Sequence, residues 1–210
     1  MSGRRLIVNA LTFARVPLIV AWLALAIAQE YRGGFALGCL ACLMMLLSGL
    51  TDAWDGCLAR KWGEVSTLGK MADPLMDKVF YIVAFPALTW LVMRQGESEA
   101  HGITMMVFTI LYMLRDTWVT FMRSVGAMFG ADVAAMWLGK VRTALSFPGA
   151  GWVYVYCCFH NMGFVDASWN GPWLASCYVV EGLLIVLTLW SLVTYTAAYL
   201  PYLKKALAKK

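Results

Sequence analysis

Four aspartates stand at regular intervals in a strongly apolar part of the chain. Asp52 and Asp55 are three residues apart and Asp73 and Asp77 are four apart, so on helices each pair occupies one face. A carboxylate in apolar surroundings is costly unless a cation or strong donors offset its charge. Two such faces turned toward each other form an all-oxygen pocket suited to Mg²⁺ or Mn²⁺ and wide enough for two ions. The spacing therefore predicts a metal-dependent active site.

Small residues and one arginine accompany these carboxylates. Gly56 and Ala59 leave the helix surface beside Asp55 without bulky side chains, so a planar base or a diphosphate can approach the backbone closely. Arg60 offers forked donors for phosphate oxygens, and Gly69 removes a side chain where the next helix begins. The alternative explanation for the glycines is tight packing between helices, which is common in membranes.

The composition is typical of a membrane protein. Of the 210 residues, 61% are hydrophobic and 14% are charged, whereas a soluble domain is about half apolar and about a quarter charged. The apolar runs predict an all-α integral membrane protein with six transmembrane helices in one bundle, each near the roughly 20 residues that a bilayer requires. We place the helices at residues 6–28, 34–60, 69–93, 102–125, 133–159 and 172–200, within a single domain over residues 1–203.

The positions of the basic residues predict the orientation. Arg4 and Arg5 precede the first apolar run, Arg60 and Lys61 follow the second, and a basic tail over residues 204–210 carries four lysines. By the positive-inside rule these ends are cytoplasmic, and so are both termini. Most charged residues inside the runs then lie in the cytoplasmic half of the bilayer, which predicts a polar cavity open to the cytosol. Besides the aspartates they are Arg15, Arg115, Arg123, Lys140 and Arg142.

The segment from Asp52 to Asp77 follows the pattern D-x2-D-G-x2-A-R-x8-G-x3-D-x3-D. This pattern resembles the signature of the CDP-alcohol phosphatidyltransferase family, integral membrane enzymes that transfer a phosphatidyl or related group from a CDP-linked donor to an alcohol. The resemblance implies that Asp52, Asp55 and Asp73 are metal ligands. It implies that Asp77 is both a ligand and the catalytic base. The implied cofactor is Mg²⁺ or Mn²⁺, with two ions bound.

The likeness continues outside the signature. Residues 9–15, NALTFAR, are similar to the NxLTxxR segment that opens the first helix in many members, with Val8 where proline is frequent. The resemblance assigns five residues to binding of the CDP-linked donor, one from this segment and four from the signature. They are Thr12, Gly56, Ala59, Arg60 and Gly69. Within the signature, Lys70 and Met76 depart from the usual residues.

The second half of the chain resembles bacterial phosphatidylglycerophosphate synthases. Arg115-Asp116, Arg123 and the segment GKVRT at residues 139–143 look like the RE, R and GKxKT elements of those enzymes. Asp116 and Arg142 are conservative departures. This resemblance implies a homodimer in a bacterial inner membrane, with CDP-diacylglycerol as donor and no nucleic-acid partner.

Four basic residues predict the acceptor. Arg115, Arg123, Lys140 and Arg142 together can pair a phosphomonoester with two negative charges, whereas an uncharged or zwitterionic acceptor such as serine needs few cations. Glycerol 3-phosphate is the simplest such acceptor, with inositol phosphate, phosphatidylglycerol and serine as alternatives. The predicted function is therefore metal-dependent transfer of a phosphatidyl group from CDP-diacylglycerol to glycerol 3-phosphate in phospholipid biosynthesis, with release of CMP.

Two other classes of protein share part of this pattern. An ion-coupled transporter also carries aspartates and arginines inside the membrane, but it does not need the Gly-x2-Ala-Arg spacing or a cationic patch opposite the carboxylates. An intramembrane prenyltransferase uses paired aspartates and Mg²⁺, but in two separated motifs, whereas this chain has one compact set.

Overall fold

The computed structural model describes residues 3–63, 67–95, 98–131 and 137–208, without the side chains of residues 5, 52, 53, 67–74 and 77. In these ranges the chain is all-helical, as predicted, because a helix satisfies its own backbone polar groups in apolar surroundings. Six helices follow one another in the order of the six predicted runs. They are α1 (Gly3–Arg32), α2 (Phe35–Trp62), α3 (Thr67–Gln95), α4 (Glu99–Met128), α5 (Trp137–Asn161) and α6 (Ala167–Ala208).

Short turns connect neighbouring helices. Gly33 and Gly34, with φ angles of 68° and 106°, reverse the chain between α1 and α2, a conformation that suits glycine. Gly63 ends α2 with a φ angle of 64°, as expected for a left-handed helix cap. At the start of α4 the Ser98 hydroxyl accepts a hydrogen bond from the backbone N–H of His101 at 3.3 Å. Helix α1 lies beside α2, α3 beside α4, and α5 beside α6, as expected for helices joined by short connections.

Helix α3 lies at the centre of the fold, where it contacts α1, α4 and α5. Helix α1 packs mainly on α2, and α4 packs mainly on α6. The main core contains buried aromatic residues such as Trp22, Phe85, Phe108 and Tyr154. These positions lie toward the ends of the helices away from the four aspartates. The apolar core therefore occupies one half of the molecule, and most charged residues inside the helices occupy the other.

Three helices are long and apolar enough to cross a membrane by length and composition. These segments are Leu6–Arg32, Phe35–Trp62 and Ala167–Ala208 among the described residues. These apolar helices indicate that the chain is an integral membrane protein. Large apolar side chains on the remaining helices are also exposed, including Ile82 of α3, Leu114 of α4 and Trp152 of α5.

Helix α6 is longer than predicted. We predicted an end near residue 200, before Pro201, and a separate basic tail from residue 204. Instead the helix continues through Pro201 to Ala208. Tyr202 and Leu203 pack against a buried cluster that includes Met122 and Tyr199. This contact compensates for the loss of the one backbone hydrogen bond that proline removes from a helix. The helix therefore continues beyond Pro201.

Candidate active site

Asp55 is the signature aspartate whose side chain the structure describes, and it is buried between α1 and α2. The Thr12 hydroxyl donates to Asp55 Oδ2 at 2.9 Å, and Arg15 Nη2 donates to the same oxygen at 3.2 Å. The side chains of Arg15 and Asp55 are 3% and 5% exposed. Because a buried carboxylate needs both a cation and hydrogen-bond donors, these two residues of α1 fix the orientation of Asp55.

The other three aspartates have helical backbones at the predicted positions. Asp52 belongs to α2, and Asp73 and Asp77 belong to α3. Their side chains lie outside the described part of the chain, and so does the pocket that we predicted between them. Among the described residues, no group of three or more His, Cys, Asp or Glu side chains is arranged to hold a metal ion. The four metal ligands and the catalytic base therefore stay predictions.

Gly56 has few neighbours among the described residues. In that part of the chain, a Cβ atom added at Gly56 would approach only Nη2 of Arg60, at 4.0 Å. A Cβ atom added at Gly49, two turns earlier on α2, would overlap the ring of Phe147. Tight packing thus explains Gly49, whereas no described residue packs closely on Gly56, and its role in donor binding stays a prediction. The surroundings of Gly69 lie outside the description, and Ala59 is half-buried.

Three cations from three helices surround the carboxylate of Asp116. Lys78 Nζ lies 3.2 Å from Asp116 Oδ2, and Arg115 Nη1 and Arg142 Nη2 each lie 3.7 Å from Oδ1. The arginine side chains are 5% and 3% exposed, while those of Asp116 and Lys78 are 30% and 36% exposed. We call these four residues the basic cluster. Its arginines form a buried floor, and its other two members face a more open side.

Aromatic rings support both arginines of the basic cluster. The guanidinium of Arg142 lies 4.0 Å from the ring centre of Tyr112, and that of Arg115 lies 5.0 Å from the ring centre of Tyr195. Arg115 Nη2 also donates a hydrogen bond to the Ser191 hydroxyl on α6. Cation–π contacts stabilise a guanidinium most when water is excluded. These rings therefore help to keep two positive charges buried.

The structure brings together two of the four basic residues that we predicted to bind the acceptor. Arg115 and Arg142 belong to the basic cluster. Arg123 is half-buried and lies two helical turns, about 12 Å, beyond Arg115 along α4. Lys140 is exposed although Arg142 is buried, because residues two apart on a helix point in different directions. The roles of Arg123 and Lys140 in acceptor binding stay predictions.

The sequence analysis missed three contributors to this site. Lys78 directly follows Asp77, so its position beside the signature was a usable signal. Tyr195 ends the segment TLWSLVTY at residues 188–195, whose resemblance to bacterial phosphatidylglycerophosphate synthases was a further signal. No sequence signal marks Tyr112 among the nine tyrosines of the chain, because its role depends on which helices become neighbours.

A cavity of about 230 Å³ extends beside Arg15, the partner of Asp55. Its lining includes Thr143 of α5, which follows Arg142 in the chain, and Tyr81 of α3. The Tyr81 hydroxyl donates to the backbone carbonyl of Thr143 at 3.0 Å, and its ring lies 5.2 Å from that of Tyr112. The cavity therefore borders the surroundings of Asp55 as well as those of the basic cluster.

Comparison with known proteins supports the family resemblance independently of the structure. A family model described as CDP-alcohol phosphatidyltransferase matches residues 5–200. A CMP-forming cardiolipin synthase of Streptomyces coelicolor is 28% identical over 186 residues, which cover 82% of this chain and 80% of the relative. A CDP-diacylglycerol–glycerol-3-phosphate 3-phosphatidyltransferase of Escherichia coli K12 is 26% identical over 166 residues, covering 75% and 77%. The names of these relatives indicate two different reactions.

Proposed function

Because the chain belongs to the CDP-alcohol phosphatidyltransferase family and is a transferase of phospholipid synthesis, we propose that it transfers a phosphatidyl group from CDP-diacylglycerol to glycerol 3-phosphate. The products would be phosphatidylglycerol phosphate and CMP. The observation that carries this choice is the basic cluster, whose three cations and one carboxylate leave a net charge of +2. That charge matches a phosphomonoester, which carries about −1.5 to −2 at neutral pH.

The nucleotide end of the donor would lie along α2. No described residue except Arg60 comes within 4 Å of a Cβ atom added at Gly56, and Arg60 is exposed one turn further on. A guanidinium beside a residue without a side chain suits a diphosphate, which needs forked donors and a close approach to the backbone. Ala59 and Gly69 would extend this surface. Thr12 is buried against Asp55, so its contribution to donor binding would pass through that carboxylate.

Asp52, Asp55, Asp73 and Asp77 would hold the divalent ions, Mg²⁺ or Mn²⁺. Carboxylate oxygens are the ligands that these ions prefer, and Asp55 suits the role because Thr12 and Arg15 both contact its Oδ2. Hydrogen-bonded partners of this kind orient metal-ligating carboxylates in proteins. When bound, the ions would neutralise the donor diphosphate and the departing CMP.

The transfer would be a displacement at phosphorus. Asp77 would accept the proton of the acceptor hydroxyl. The hydroxyl oxygen would form a bond to the phosphorus that carries diacylglycerol, and the bond from that phosphorus to the CMP oxygen would break, with its electron pair leaving on CMP. Arg115 and Arg142 would hold the acceptor phosphate and so place its hydroxyl for attack. Their charge would also offset the repulsion between two anionic substrates.

We further infer that all six helices cross the membrane and that the chain functions as a homodimer in a bacterial inner membrane. Exposed apolar residues on α3, α4 and α5, such as Ile82, Leu114 and Trp152, support six spans because a bilayer would cover them. The dimer and the bacterial membrane rest on the family resemblance.

Release of CMP by the purified protein tests the proposed reaction. The assay supplies CDP-diacylglycerol with Mg²⁺ or Mn²⁺ and compares glycerol 3-phosphate, inositol 1-phosphate, serine and phosphatidylglycerol as acceptors. We expect CMP release with glycerol 3-phosphate and little with serine, because the basic cluster requires a charged partner. Release with inositol 1-phosphate alone would support a phosphomonoester-binding site, but it would identify inositol phosphate as the acceptor in place of glycerol 3-phosphate. Absence of release with all four would contradict the proposed donor.

Phosphatidylglycerol is the second candidate acceptor, and the likeness to a CMP-forming cardiolipin synthase favours it. Its phosphodiester carries a single negative charge, however, and would leave the basic cluster with uncompensated positive charge. The same assay separates the two acceptors, since glycerol 3-phosphate and phosphatidylglycerol give different lipid products.

A further inference from the structure

Lys78 and Asp116 contribute to the charge of the basic cluster, but the proposed transfer assigns them no contact with a substrate. Lys78 reaches from α3 to α4, where its Nζ donates to the Thr120 hydroxyl at 2.8 Å and lies 3.2 Å from Asp116 Oδ2. Thr120 in turn donates to the backbone carbonyl of Asp116 at 2.8 Å. The ammonium group therefore has a defined position beside the two arginines.

The contacts of the arginines with Asp116 are long. Both N–O distances are 3.7 Å, whereas charge-assisted hydrogen bonds between such groups are about 2.7–2.9 Å. Nε of Arg115 and both Nε and Nη1 of Arg142 are buried without a hydrogen-bond partner among the described residues. Buried donors of this kind are costly when unsatisfied. A phosphate, with several acceptor oxygens, would satisfy more of these donors than one carboxylate does.

We propose that Lys78 is a third phosphate-binding cation of the acceptor site, and that Asp116 is the counter-ion which the acceptor phosphate replaces. This inference rests on the proposed function. Lys78 is the residue after Asp77 in α3, so one helix would carry both the base and a phosphate ligand. Binding the phosphate through Lys78 would thereby set the position of the acceptor hydroxyl relative to Asp77.

The charges of the cluster explain why an exchange of anions would be selective. With Asp116 as counter-ion, the three cations keep a net charge of +2. A dianionic phosphate in its place leaves +1, whereas a phosphodiester leaves +2, the same as Asp116. Since uncompensated buried charge is unfavourable, the exchange favours a phosphomonoester.

Substitution of Lys78 tests its role. In the purified full-length protein, Lys78→Met should raise the KM for glycerol 3-phosphate about tenfold or more, the usual effect of losing a hydrogen bond to a charged group. The KM for CDP-diacylglycerol should stay near its wild-type value, and Lys78→Arg should restore most of the affinity for glycerol 3-phosphate. Lys204→Met is the matched control, because it removes the same charge from an exposed position on α6.

Asp116 is tested by direct binding of inorganic phosphate, measured by calorimetry, so that the result does not depend on turnover. Asp116→Asn should bind phosphate about fivefold more tightly, because it removes a like charge from the site. Its Tm without phosphate should be lower than that of the wild-type protein and should recover when phosphate is added. Lys78→Met should bind phosphate more weakly.

The outcomes separate this inference from the proposed function. A wild-type protein that uses glycerol 3-phosphate, together with an unchanged KM in folded Lys78→Met, would overturn the role of Lys78 and leave the proposed function intact. Weaker phosphate binding by Asp116→Asn would overturn the exchange. A wild-type protein that uses phosphatidylglycerol and not glycerol 3-phosphate would overturn both proposals.

Discussion

Asp55 and Arg142 are both charged and buried, and each is offset by residues of other helices. Asp55 is held by Thr12 and Arg15 of α1. Arg142 lies over the ring of Tyr112 of α4, with Asp116 as its partially exposed counter-ion. Buried ion pairs seldom stabilise a fold more than well-packed apolar residues would. We therefore infer that these charges serve substrate binding and catalysis more than stability.

The contrast between Arg142 and Lys140 gives a prediction at the level of single residues. Arg142 belongs to the basic cluster, whereas Lys140 is exposed on another side of α5. Arg142→Met should raise the KM for glycerol 3-phosphate about tenfold or more, and Lys140→Met should raise it less. Steady-state kinetics with varied acceptor measures both. Equal effects would contradict the placement of the acceptor phosphate at the basic cluster.

Helix α2 carries two glycines with opposite surroundings. Gly49 lies against Phe147 of α5, while no described residue packs closely on Gly56 next to Asp55. A small residue thus serves helix packing in the middle of α2. Near the end of α2 we propose that a small residue leaves room for the donor.

A pair of matched substitutions tests this difference. Gly49→Leu should lower the Tm of the protein, since forcing a large side chain into a packed site costs about 1–3 kcal/mol or more. Gly56→Leu should leave the Tm near the wild-type value and raise the KM for CDP-diacylglycerol. Thermal unfolding in detergent and kinetics with varied donor provide the two measurements. A normal donor KM in Gly56→Leu would contradict donor binding along α2.

The elements were predictable to the extent that local sequence determines them. Each apolar run predicted one helix, because continuous apolar stretches of this length form helices in a bilayer. The end of α6 was not predictable, since Tyr202 packs on a cluster with Met122 of α4, a residue far away in the chain. Likewise, spacing identified the basic residues of α5, but only packing shows that Arg142 and not Lys140 joins Asp116.

At the scale of the whole molecule, the end of the fold away from the aspartates is tied together by Glu30 of α1. Its carboxylate oxygens lie 3.2 Å from Arg94 Nε, 3.4 Å from Gln95 Nε2 and 2.7 Å from Asn161 Nδ2. These contacts join α1 to the last residues of α3 and α5 beside the main apolar core. Packing in this half supplies much of the stability of the fold. The charged half can therefore contain groups with unsatisfied hydrogen-bond donors, such as Arg142.

The number of membrane crossings is the remaining prediction at this scale. Helices α1, α2 and α6 are the three that are apolar enough to cross by composition, and three crossings would place the two termini on opposite sides. Six crossings place both in the cytoplasm, as the basic residues at both ends favour. Helices α3, α4 and α5 contain 29, 30 and 25 residues, enough for a hydrocarbon layer of about 30 Å.

Fusions of alkaline phosphatase, which is active only outside the cytoplasm, distinguish the two arrangements in a bacterial inner membrane. With six crossings, we expect active fusions after the first, third and fifth helices and inactive fusions after the second, fourth and sixth. The fusion points are Arg32, Ser98 and Gly163 for the first set and Gly63, Gly130 and Ala208 for the second. An active fusion at Ala208 would indicate an odd number of crossings. It would also place the lysines of α6 outside, against the positive-inside rule, and would contradict the six-span arrangement.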